Sequence, residues 1–448
     1  FASDTIDSLL ASGTATLDGA VDVSLLNVHR IRPGSHVKTL YSGAGGLTNE
    51  GLTLTAQPSI VIDYRLLTDA TTAALGYEVD FSPDGLVGNR IAIGDYFNRV
   101  QEAGSSPALA DTITALVLTT DLGAYSSYMT QLGPEFYAEQ QALTLGSAQR
   151  FSRALQACGA PRLGRSSGDD ADCMWARFDV DSSSHDSQEG FPETEQIARR
   201  YSIGAQRALE GDWLVGFGMN IENDGSKGYD GRWVSDSTLA QLGALARRRI
   251  GASTAGLRLT AGFADHDVRR RFNVTGPVTA SGEHDLRFAT LVGDVSNMVA
   301  SGGLSFTRSL DVGASLLEGD AMSERGAGAQ GVTLERASER HLWVEPSIAV
   351  GYEKGFGARR LLRLYARLGV LQYLIGGDTE VRAGLTGAPT GVAPMRVISD
   401  LDQTHLTLEG GLELTALDRY TLGLSFSAQD SQSRDSGTVT ARVSVPIN

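Results

Sequence analysis

The 448-residue sequence lacks long hydrophobic runs and has no excess of positive charge. Because no apolar stretch reaches about 18 residues, the sequence predicts no transmembrane helix. A membrane β-barrel remains possible, because barrel strands face lipid with only every second side chain and hydropathy averages out along them. The net charge of −15 argues against nucleic acid as a partner, since phosphate binding requires a basic surface.

Cysteine is also scarce: the sequence contains two, Cys158 and Cys173. The segment between them is rich in Gly, Ser, Arg and Asp, which predicts a flexible loop. A disulfide closing this loop would suit an oxidising periplasm or cell surface and would constrain the unfolded chain by about 3 kcal/mol. Two unpaired thiols of a cytosolic protein are the alternative. A metal site is not predicted, because no Cys-x-x-Cys motif or histidine pair lies nearby.

Catalytic motifs are absent as well. The sequence has no G-x-S-x-G elbow, Walker loop or dinucleotide-binding motif, so it predicts neither an enzyme nor a cofactor. The segment Asp265-His266-Asp267 is interpreted as an exposed loop tip rather than a calcium site. Solvated surface positions are predicted for the seven scattered histidines, which are His29, His36, His185, His266, His284, His341 and His405.

The sequence changes character twice along its length. Residues 1–84 have the pattern of short strands separated by glycine-rich turns, typical of the end of a β-solenoid or of a small β-sandwich. In residues 85–172, apolar residues such as Ile93, Phe97 and Val100 recur at helical spacing. The longest predicted helix, from Pro134 to Ala157, would measure ~35 Å and could cross a membrane-sized pore. A small helical bundle is the alternative for this region.

Residues 173–448 contain about twelve runs with strict two-residue alternation. In one run, Trp213, Phe217 and Ile221 share one face, and Gly218 and Glu222 share the other. Apolar residues suit lipid, and small or charged residues suit a wet lumen. Many runs reach about nine residues, the length of a membrane-spanning strand. This length favours an outer-membrane barrel over a soluble β-sandwich, whose strands average about 5–6 residues.

The predicted connections alternate in length, with tight turns at 209–212 and 417–419. Long polar loops are predicted at 182–195, 271–283, 322–340 and 376–400. Short turns on one rim and long loops on the other are typical of an outer-membrane barrel. Charged residues on the lumen face are expected to pair with each other or with the helix in the pore, without a catalytic role. They are Arg177, Arg258, Glu345, Arg363, Arg367, Glu409, Glu413 and Arg442.

Four segments, taken in order, resemble one family. The segment Gly13-Thr-Ala-Thr-Leu-Asp-Gly-Ala-Val-Asp-Val-Ser-Leu-Leu26 looks like the end of a passenger β-helix. Tyr128-Met-Thr-Gln-Leu-Gly-Pro-Glu-Phe-Tyr-Ala138 resembles a helical stretch before a barrel. Met174-Trp-Ala-Arg-Phe178 looks like a first barrel strand, and Trp343-Val-Glu-Pro-Ser-Ile-Ala-Val-Gly-Tyr352 resembles a late one. Together they resemble the C-terminal part of classical (type V secretion) autotransporters, over nearly the whole chain.

The resemblance implies a mainly β protein with three parts. Residues 1–84 would be the end of a β-solenoid-like passenger stem, and 85–172 a helical linker with a pore helix and a disulfide loop. Residues 173–448 would form a 12-stranded antiparallel transmembrane β-barrel, the translocator. It implies a monomeric barrel in the outer membrane of a Gram-negative bacterium, with the stem at the cell surface. The implied partners are outer-membrane lipid, the barrel assembly machinery and the chain's own passenger upstream of Phe1.

Two features depart from the family pattern. Such barrels usually end on Phe or Trp, which the assembly machinery reads, whereas this chain ends Val443-Ser-Val-Pro-Ile-Asn448, so that signal is expected to be absent or altered. Members that cleave their own passenger do so beside an asparagine in the pore helix. Residues 134–157 contain no asparagine, so self-cleavage is not expected. The alternatives to a translocator are an adhesin that uses the barrel only as an anchor and a passive porin-like channel.

Overall fold

The computed structural model describes residues 8–158, 172–187, 190–229, 231–356, 360–416 and 419–447. Of the predicted flexible loop between the two cysteines, at 159–172, residues 159–171 lie outside these ranges. So do residues 417–418 of one predicted tight turn and the terminal residues Phe1 and Asn448.

The N-terminal region is a short β-solenoid closed by a hairpin. Leu9 pairs with Tyr41, Ala15 with Leu47 and Ala20 with Thr53, all in parallel, so three strands of one coil stack on the next coil. This parallel stacking is typical of a solenoid rather than a sandwich. The last two strands are antiparallel and cover the end of the stack. The strands are β1 (Leu9–Ala11), β2 (Ala15–Leu17), β3 (Ala20–Val23), β4 (Gly34–Gly43), β5 (Leu47–Asn49), β6 (Thr53–Ala56), β7 (Ile62–Thr68) and β8 (Thr72–Val79).

In the described part of the chain four α-helices follow, as the helical spacing of apolar residues predicts. They are α1 (Asn89–Glu102), α2 (Ala110–Val117), α3 (Leu122–Leu132) and α4 (Glu135–Ala154). The predicted stripe of Ile93, Phe97 and Val100 is fully buried. Helix α3 begins where the carboxylate of Asp121 accepts a hydrogen bond from the amide of Ala124 at 2.8 Å, a common N-terminal cap. Gly94 lies where a Cβ would be 2.3 Å from the carbonyl oxygen of Phe81, so α1 packs closely on the end of the stem.

Twelve antiparallel strands form a closed barrel in the order β10-β11-β12-β13-β14-β15-β18-β19-β22-β23-β24-β9. Four shorter strands, β16, β17, β20 and β21, form a separate sheet. The strands are β9 (Cys173–His185), β10 (Thr194–Leu209), β11 (Trp213–Gly228), β12 (Trp233–Ile250), β13 (Ser253–Phe272), β14 (Val278–Ser301), β15 (Leu304–Gly319), β16 (Met322–Ser323), β17 (Val332–Leu334), β18 (Ala337–Phe356), β19 (Arg360–Ile375), β20 (Asp378–Leu385), β21 (Met395–Asp400), β22 (Thr404–Ala416), β23 (Tyr420–Asp430) and β24 (Arg434–Pro446).

The two faces of each barrel strand have the predicted difference in burial. On β13, Leu257 and Leu259 point outward and are 52% and 50% exposed, whereas Arg258 and Thr260 point inward and are at most 1% exposed. A barrel with apolar side chains on its outside is stable in lipid, because in water this apolar surface would stay exposed to solvent at a cost in free energy. The two-residue alternation therefore identifies the lipid-facing side of the barrel.

The strands run further than predicted, and two predicted loops are shorter in consequence. The predicted loop 271–283 contracts to residues 273–277, because β13 ends at Phe272 and β14 begins at Val278. Likewise, β9 continues to His185 and β10 begins at Thr194, inside the predicted loop 182–195. With 20 residues, β13 exceeds the roughly 9–11 that cross a bilayer. In the part of β13 near the long-loop end of the barrel, the outward-facing residues are polar, so this segment has the amino-acid composition of a loop.

The other two predicted long loops contain the separate four-stranded sheet, which we call the loop sheet (β16, β17, β20 and β21). One face of this sheet is apolar: Val332, Val381, Ala383 and Val397 are at most 2% exposed. The strands are short and are flanked by Gly, Pro and charged residues, so the sequence predicted only polar loops here. The predicted long polar loops at 322–340 and 376–400 therefore contain strands that the sequence pattern did not predict.

The loop sheet packs with helices α1–α3 and the hairpin β7–β8 around one hydrophobic core. We call the loop sheet and helices α1–α3 together the cap. The side chain of Asn89 on α1 hydrogen-bonds both the carbonyl oxygen and the amide of Ile398 on β21, at 2.8 and 3.1 Å. The hydroxyl of Tyr96 accepts a hydrogen bond from the amide of Leu385 at 2.8 Å. The cap is therefore fixed to the long-loop end of the barrel.

Candidate functional site in the barrel lumen

Helix α4 occupies the barrel lumen. Of its 20 residues, 16 are buried, and they include Glu139, Gln140, Thr144, Ser147 and Gln149. A helix with so many buried polar residues is stable only where the surrounding wall offers hydrogen-bonding partners. The inward faces of the barrel strands provide those partners. Within the described residues, no helix is both long and apolar enough to span a membrane.

One side of α4 packs directly against strands β11 to β15. The hydroxyl of Ser147 donates to Glu222 on β11, and Thr144 lies 3.1 Å from Nε2 of His266 on β13. Between these contacts, Ala148 is fully buried in an apolar cluster. The wall residues of that cluster are Leu239, Ala264, Leu286, Phe288 and Leu317.

Glycines in the wall let the last turn of the helix approach closely. A Cβ on Gly243 would lie 2.8 Å from Cδ1 of Leu155, and one on Gly218 would lie 2.9 Å from Cδ2 of the same residue. Both distances are shorter than real contacts, so a larger residue at either wall position would force the Leu155 side chain to shift. This explains part of the small-residue pattern on the lumen face.

The other side of α4 faces a cavity of about 210 Å³ near the short-turn end of the barrel. Seven of the eight predicted lumen charges line this cavity, namely Arg177, Arg258, Arg363, Arg367, Glu409, Glu413 and Arg442. The eighth, Glu345, lines a smaller neighbouring cavity together with Arg177, Arg367 and Glu409. All eight residues therefore line cavities on the inner surface of the barrel.

Most of these charges pair across the lumen wall. Arg363 and Arg442 flank Glu413 at 3.3 and 2.5 Å, and the hydroxyl of Tyr365 donates to Glu409 at 2.8 Å. Arg258 on β13 reaches Asp294 at 3.3 Å and Asp311 at 2.5 Å. Buried charges are stable in this setting because each has an opposite charge or a hydrogen-bonding partner.

Several pairs join the wall to the helix. Arg153 on α4 donates to Glu345 on β18 at 2.7 Å, and Arg367 lies 3.5 Å from the same carboxylate. The guanidinium of Arg442 on β24 donates to the carbonyl oxygen of Ala157, just beyond α4. At the same end, Cys158 and Cys173 form a disulfide with their Cα atoms 6.0 Å apart, so the chain after α4 is covalently fixed to the first barrel strand.

The opposite end of the lumen is closed by a buried ion pair. Arg270 on β13 donates twice to Glu324, with both distances 2.7 Å, and the two side chains are fully buried. The hydroxyl of Tyr137 on α4 donates to the same carboxylate at 2.9 Å. Arg270 also donates to the carbonyl oxygen of Gln131 at 2.6 Å, so this pair connects barrel, loop sheet and helix.

The sequence prediction for the histidines is wrong in most cases. His185, His266, His284, His341 and His405 are all at most 3% exposed. They lie on inward positions of strands that continue above the lipid zone, in or beside segments that were interpreted as loops. Asp265-His266-Asp267 lies within β13, and the alternation buries the histidine and exposes both carboxylates. Among the described residues, no cluster of His, Cys, Asp or Glu has a metal-binding arrangement.

Sequence reasoning also missed the charged partners on the helix and in the loops. Glu139, Arg150 and Arg153 on α4 all pair with the wall. Their spacing was the available signal, because Arg150 lies eleven residues, about three helical turns, after Glu139 and Arg153 lies three residues after Arg150, which places all three on one side of the helix. Glu324 had no such signal, since its partner Arg270 is brought close only by the fold.

Residues 174–427 match the family model of the autotransporter β-domain. No curated protein sequence matches the chain. Solved structures that resemble it include three translocators. The translocator domain of the autotransporter NalP from Neisseria meningitidis is 15% identical with a TM-score of 0.55, covering 69% of this chain and 98% of that one. The β domain of the Bordetella autotransporter BrkA is 14% identical with a TM-score of 0.47, covering 62% and 100%. The transport unit of AIDA-I from Escherichia coli is 11% identical with a TM-score of 0.45, covering 68% and 99%.

The first of these likenesses agrees with the fold described above, a twelve-stranded barrel preceded by a helical segment. The family match extends over more than half of the chain. The chain therefore belongs to the autotransporter β-domain family, and its barrel is an outer-membrane translocator unit for the export of a passenger.

Proposed function

We propose that this chain displays its N-terminal stem at the surface of a Gram-negative cell, with α4 remaining in the pore as the connection. The observation that carries this proposal is the direction of α4. Its first turns contact Glu324 of the loop sheet region, and the carbonyl oxygen of Leu155, beyond its last turn, accepts from Gln206 beside the tight turn at 210–212. Short turns face the periplasm and long loops the exterior in outer-membrane barrels, so the stem lies outside.

The lumen charges have a mechanical role in this proposal. The eight predicted residues, from Arg177 to Arg442 in the chain, hold the pore helix and set the electrostatics of the lumen. The pairs of Arg153 with Glu345 and of Arg442 with Ala157 support this role. A polar helix in a polar wall can slide into place without crossing lipid, and it is then retained by many charge-assisted hydrogen bonds.

Export in this scheme is driven by folding outside the cell, because the periplasm supplies no ATP. Residues 13–84 act as an early-folding unit that prevents the exported chain from sliding back. The support for this step is the packing of the hairpin β7–β8 against the cap, which gives the stem a fixed base on the barrel. The outer-membrane barrel assembly machinery is the proposed partner for insertion, and the barrel is proposed to act as a monomer.

We further propose that the chain has no catalytic activity of its own. The porin-like alternative is disfavoured because α4 fills the lumen and the larger described lumen cavity measures only about 210 Å³. The adhesin alternative differs only in the activity of the passenger, since display at the surface is common to both.

Protease shaving of intact cells tests the proposed orientation. A peptide tag placed just before Phe1 should be removed by external protease in a strain with the whole barrel. A second strain truncated at Leu417 lacks β23 and β24, so the ring cannot close and the tag should be protected. Protection of the tag in both strains would place the N-terminal region in the periplasm and contradict the proposal.

A further inference from the structure

The first and last strands of the barrel meet at a seam that no turn of the chain connects. Strands β9 and β24 pair from Cys173 opposite Pro446 to His185 opposite Arg434. Every other pair of neighbouring barrel strands is also consecutive along the chain, apart from the loop-sheet strands inserted between β15 and β18 and between β19 and β22. The seam must therefore be held closed by its own contacts, against the entropy of a very long loop and the tendency of edge strands to pair elsewhere.

At the long-loop end of the seam, one residue of α4 contacts both strands. The carboxylate of Glu139, which is 1% exposed, accepts two hydrogen bonds from Arg434 on β24, at 2.9 and 2.6 Å. It also lies 3.1 Å from Nδ1 of His185 on β9. His185 and Arg434 are the last paired residues of the seam, so Glu139 bridges its upper end. A bidentate arginine–carboxylate pair of this kind is stronger than a single hydrogen bond between the two groups.

At the short-turn end, the chain leaving α4 again contacts both strands. Cys158 is disulfide-bonded to Cys173 on β9. Arg442 on β24 donates to the carbonyl oxygen of Ala157. The two contacts come from adjacent residues of the chain and reach opposite sides of the seam. They therefore hold the lower end as Glu139 holds the upper one.

Between the two ends, the inner face of the seam depends on charge that the helix balances. Asp181 on β9 accepts from Thr438 on β24 at 2.6 Å, and Asp179 accepts from Thr440 at 2.5 Å. Arg150 on α4 lies 3.6 Å from Asp181. A buried carboxylate without a counter-charge is costly, so the seated helix favours the bond between Asp181 and Thr438, whereas Asp179 is balanced by Arg177 of the wall at 2.8 Å.

We propose that α4 clamps the barrel shut along the β9–β24 seam, with Glu139 as the positioning residue that ties the two strands together. The helix is then more than a plug, because the barrel reaches its fully closed state only when the helix is seated. The inference concerns closure of the ring and holds whether or not the chain exports a passenger. Its test therefore uses the purified full chain and no export assay.

The test is amide hydrogen exchange of the Glu139→Gln variant, read separately on the seam strands and on the opposite wall. Amides of β9 and β24 should exchange faster than in the unchanged chain by on the order of tenfold or more, while β12 and β13 should not change. The matched control is Glu135→Gln, the same substitution one turn earlier on α4, at a buried carboxyl group that makes no hydrogen bond to the seam strands in the described structure. That variant should leave seam exchange unchanged.

A second variant keeps the proposal testable if Glu139→Gln fails to form a barrel. Val180 and Val439 are paired across the seam and point outward, so replacing both with cysteine allows a disulfide to lock it. Adding this lock to Glu139→Gln should restore slow seam exchange or barrel formation. Unchanged seam exchange in Glu139→Gln, equal acceleration around the whole ring, or failure of the locked variant to recover would overturn the proposal.

Discussion

At the scale of single residues, the buried pair of Arg270 and Glu324 shows how the lumen tolerates charge. Both side chains are fully buried, and each is matched by the other and by a neutral partner, Gln131 for the arginine and Tyr137 for the carboxylate. Neither side chain would be stable here alone, because an isolated buried charge costs several kcal/mol.

Replacing Glu324 with glutamine should destabilise the folded protein by about 3–5 kcal/mol, because it leaves the Arg270 guanidinium buried without a counter-charge. Thermal unfolding in detergent micelles measures the effect. The control is Asp320→Asn, which breaks the largely exposed pairs with Arg287 and Arg336 and should change stability by less than about 1 kcal/mol. Equal effects of the two substitutions would contradict this view of the pair.

The stability that the Glu324 carboxyl group contributes should depend on pH. Burial opposes its charge, but the Arg270 guanidinium and its hydrogen bonds prevail and hold the pKa of Glu324 below its usual value. A lowered folded-state pKa contributes stability above the unfolded-state pKa of about 4.3, and this contribution is lost as the pH falls through the folded-state value. The stability difference between the unchanged chain and Glu324→Gln should therefore shrink below about pH 4. A difference independent of pH would be the contrary result.

At the scale of elements, the helix–wall contact depends on residues that the sequence pattern places on one face but does not pair. The alternation predicts that Gly218 and Gly243 face the lumen, yet only the fold brings Leu155 against both. In the same way, alternation predicts the inward side of Glu345, whereas its partner Arg153 lies in a different element. Local periodicity predicts which face of a strand a residue occupies. Which wall residue pairs with which helix residue depends on the rotation and depth of α4 in the pore.

Gly243→Val should displace the last turn of α4, because its added side chain would overlap Leu155. Overpacking of this kind costs about 1–3 kcal/mol, so amides of residues 151–155 should exchange several-fold faster or more, while the barrel stays intact. Gly293→Val is the control, since a Cβ there meets nothing within 4 Å. Unchanged exchange in Gly243→Val would show that the helix does not rely on this close approach.

Strand length is the element property that the sequence predicted least well. Alternation located the strands, but their upper parts carry polar residues on the outer face and histidines on the inner face, as at Asp265 and His266. Such composition is the same in a solvated strand and in a loop. The loop sheet escaped prediction for a related reason, because its strands are short and their apolar residues, such as Val332 and Val397, are few.

At the scale of the whole molecule, the chain runs from the stem through the cap and the pore into the barrel wall. Deleting residues 13–84 should leave the barrel folded, because its ring and lumen contacts lie outside that segment, while export of an upstream passenger should fall sharply. Barrel folding is read from heat-modifiable gel mobility, and export from surface labelling of a tagged passenger. Normal export from the deletion would refute the early-folding role of the stem.

Helix α4 fills the pore of an outer-membrane barrel, and single-channel conductance in planar bilayers measures this occupancy. The full chain is compared with a chain lacking residues 91–157, both carrying the disulfide between Val180→Cys and Val439→Cys so that the β9–β24 seam stays closed without the helix. We expect small or no conductance for the full chain and a large open-pore conductance without the helix. Equal, large conductance in both would show that the helix does not block the pore and would favour a passive channel.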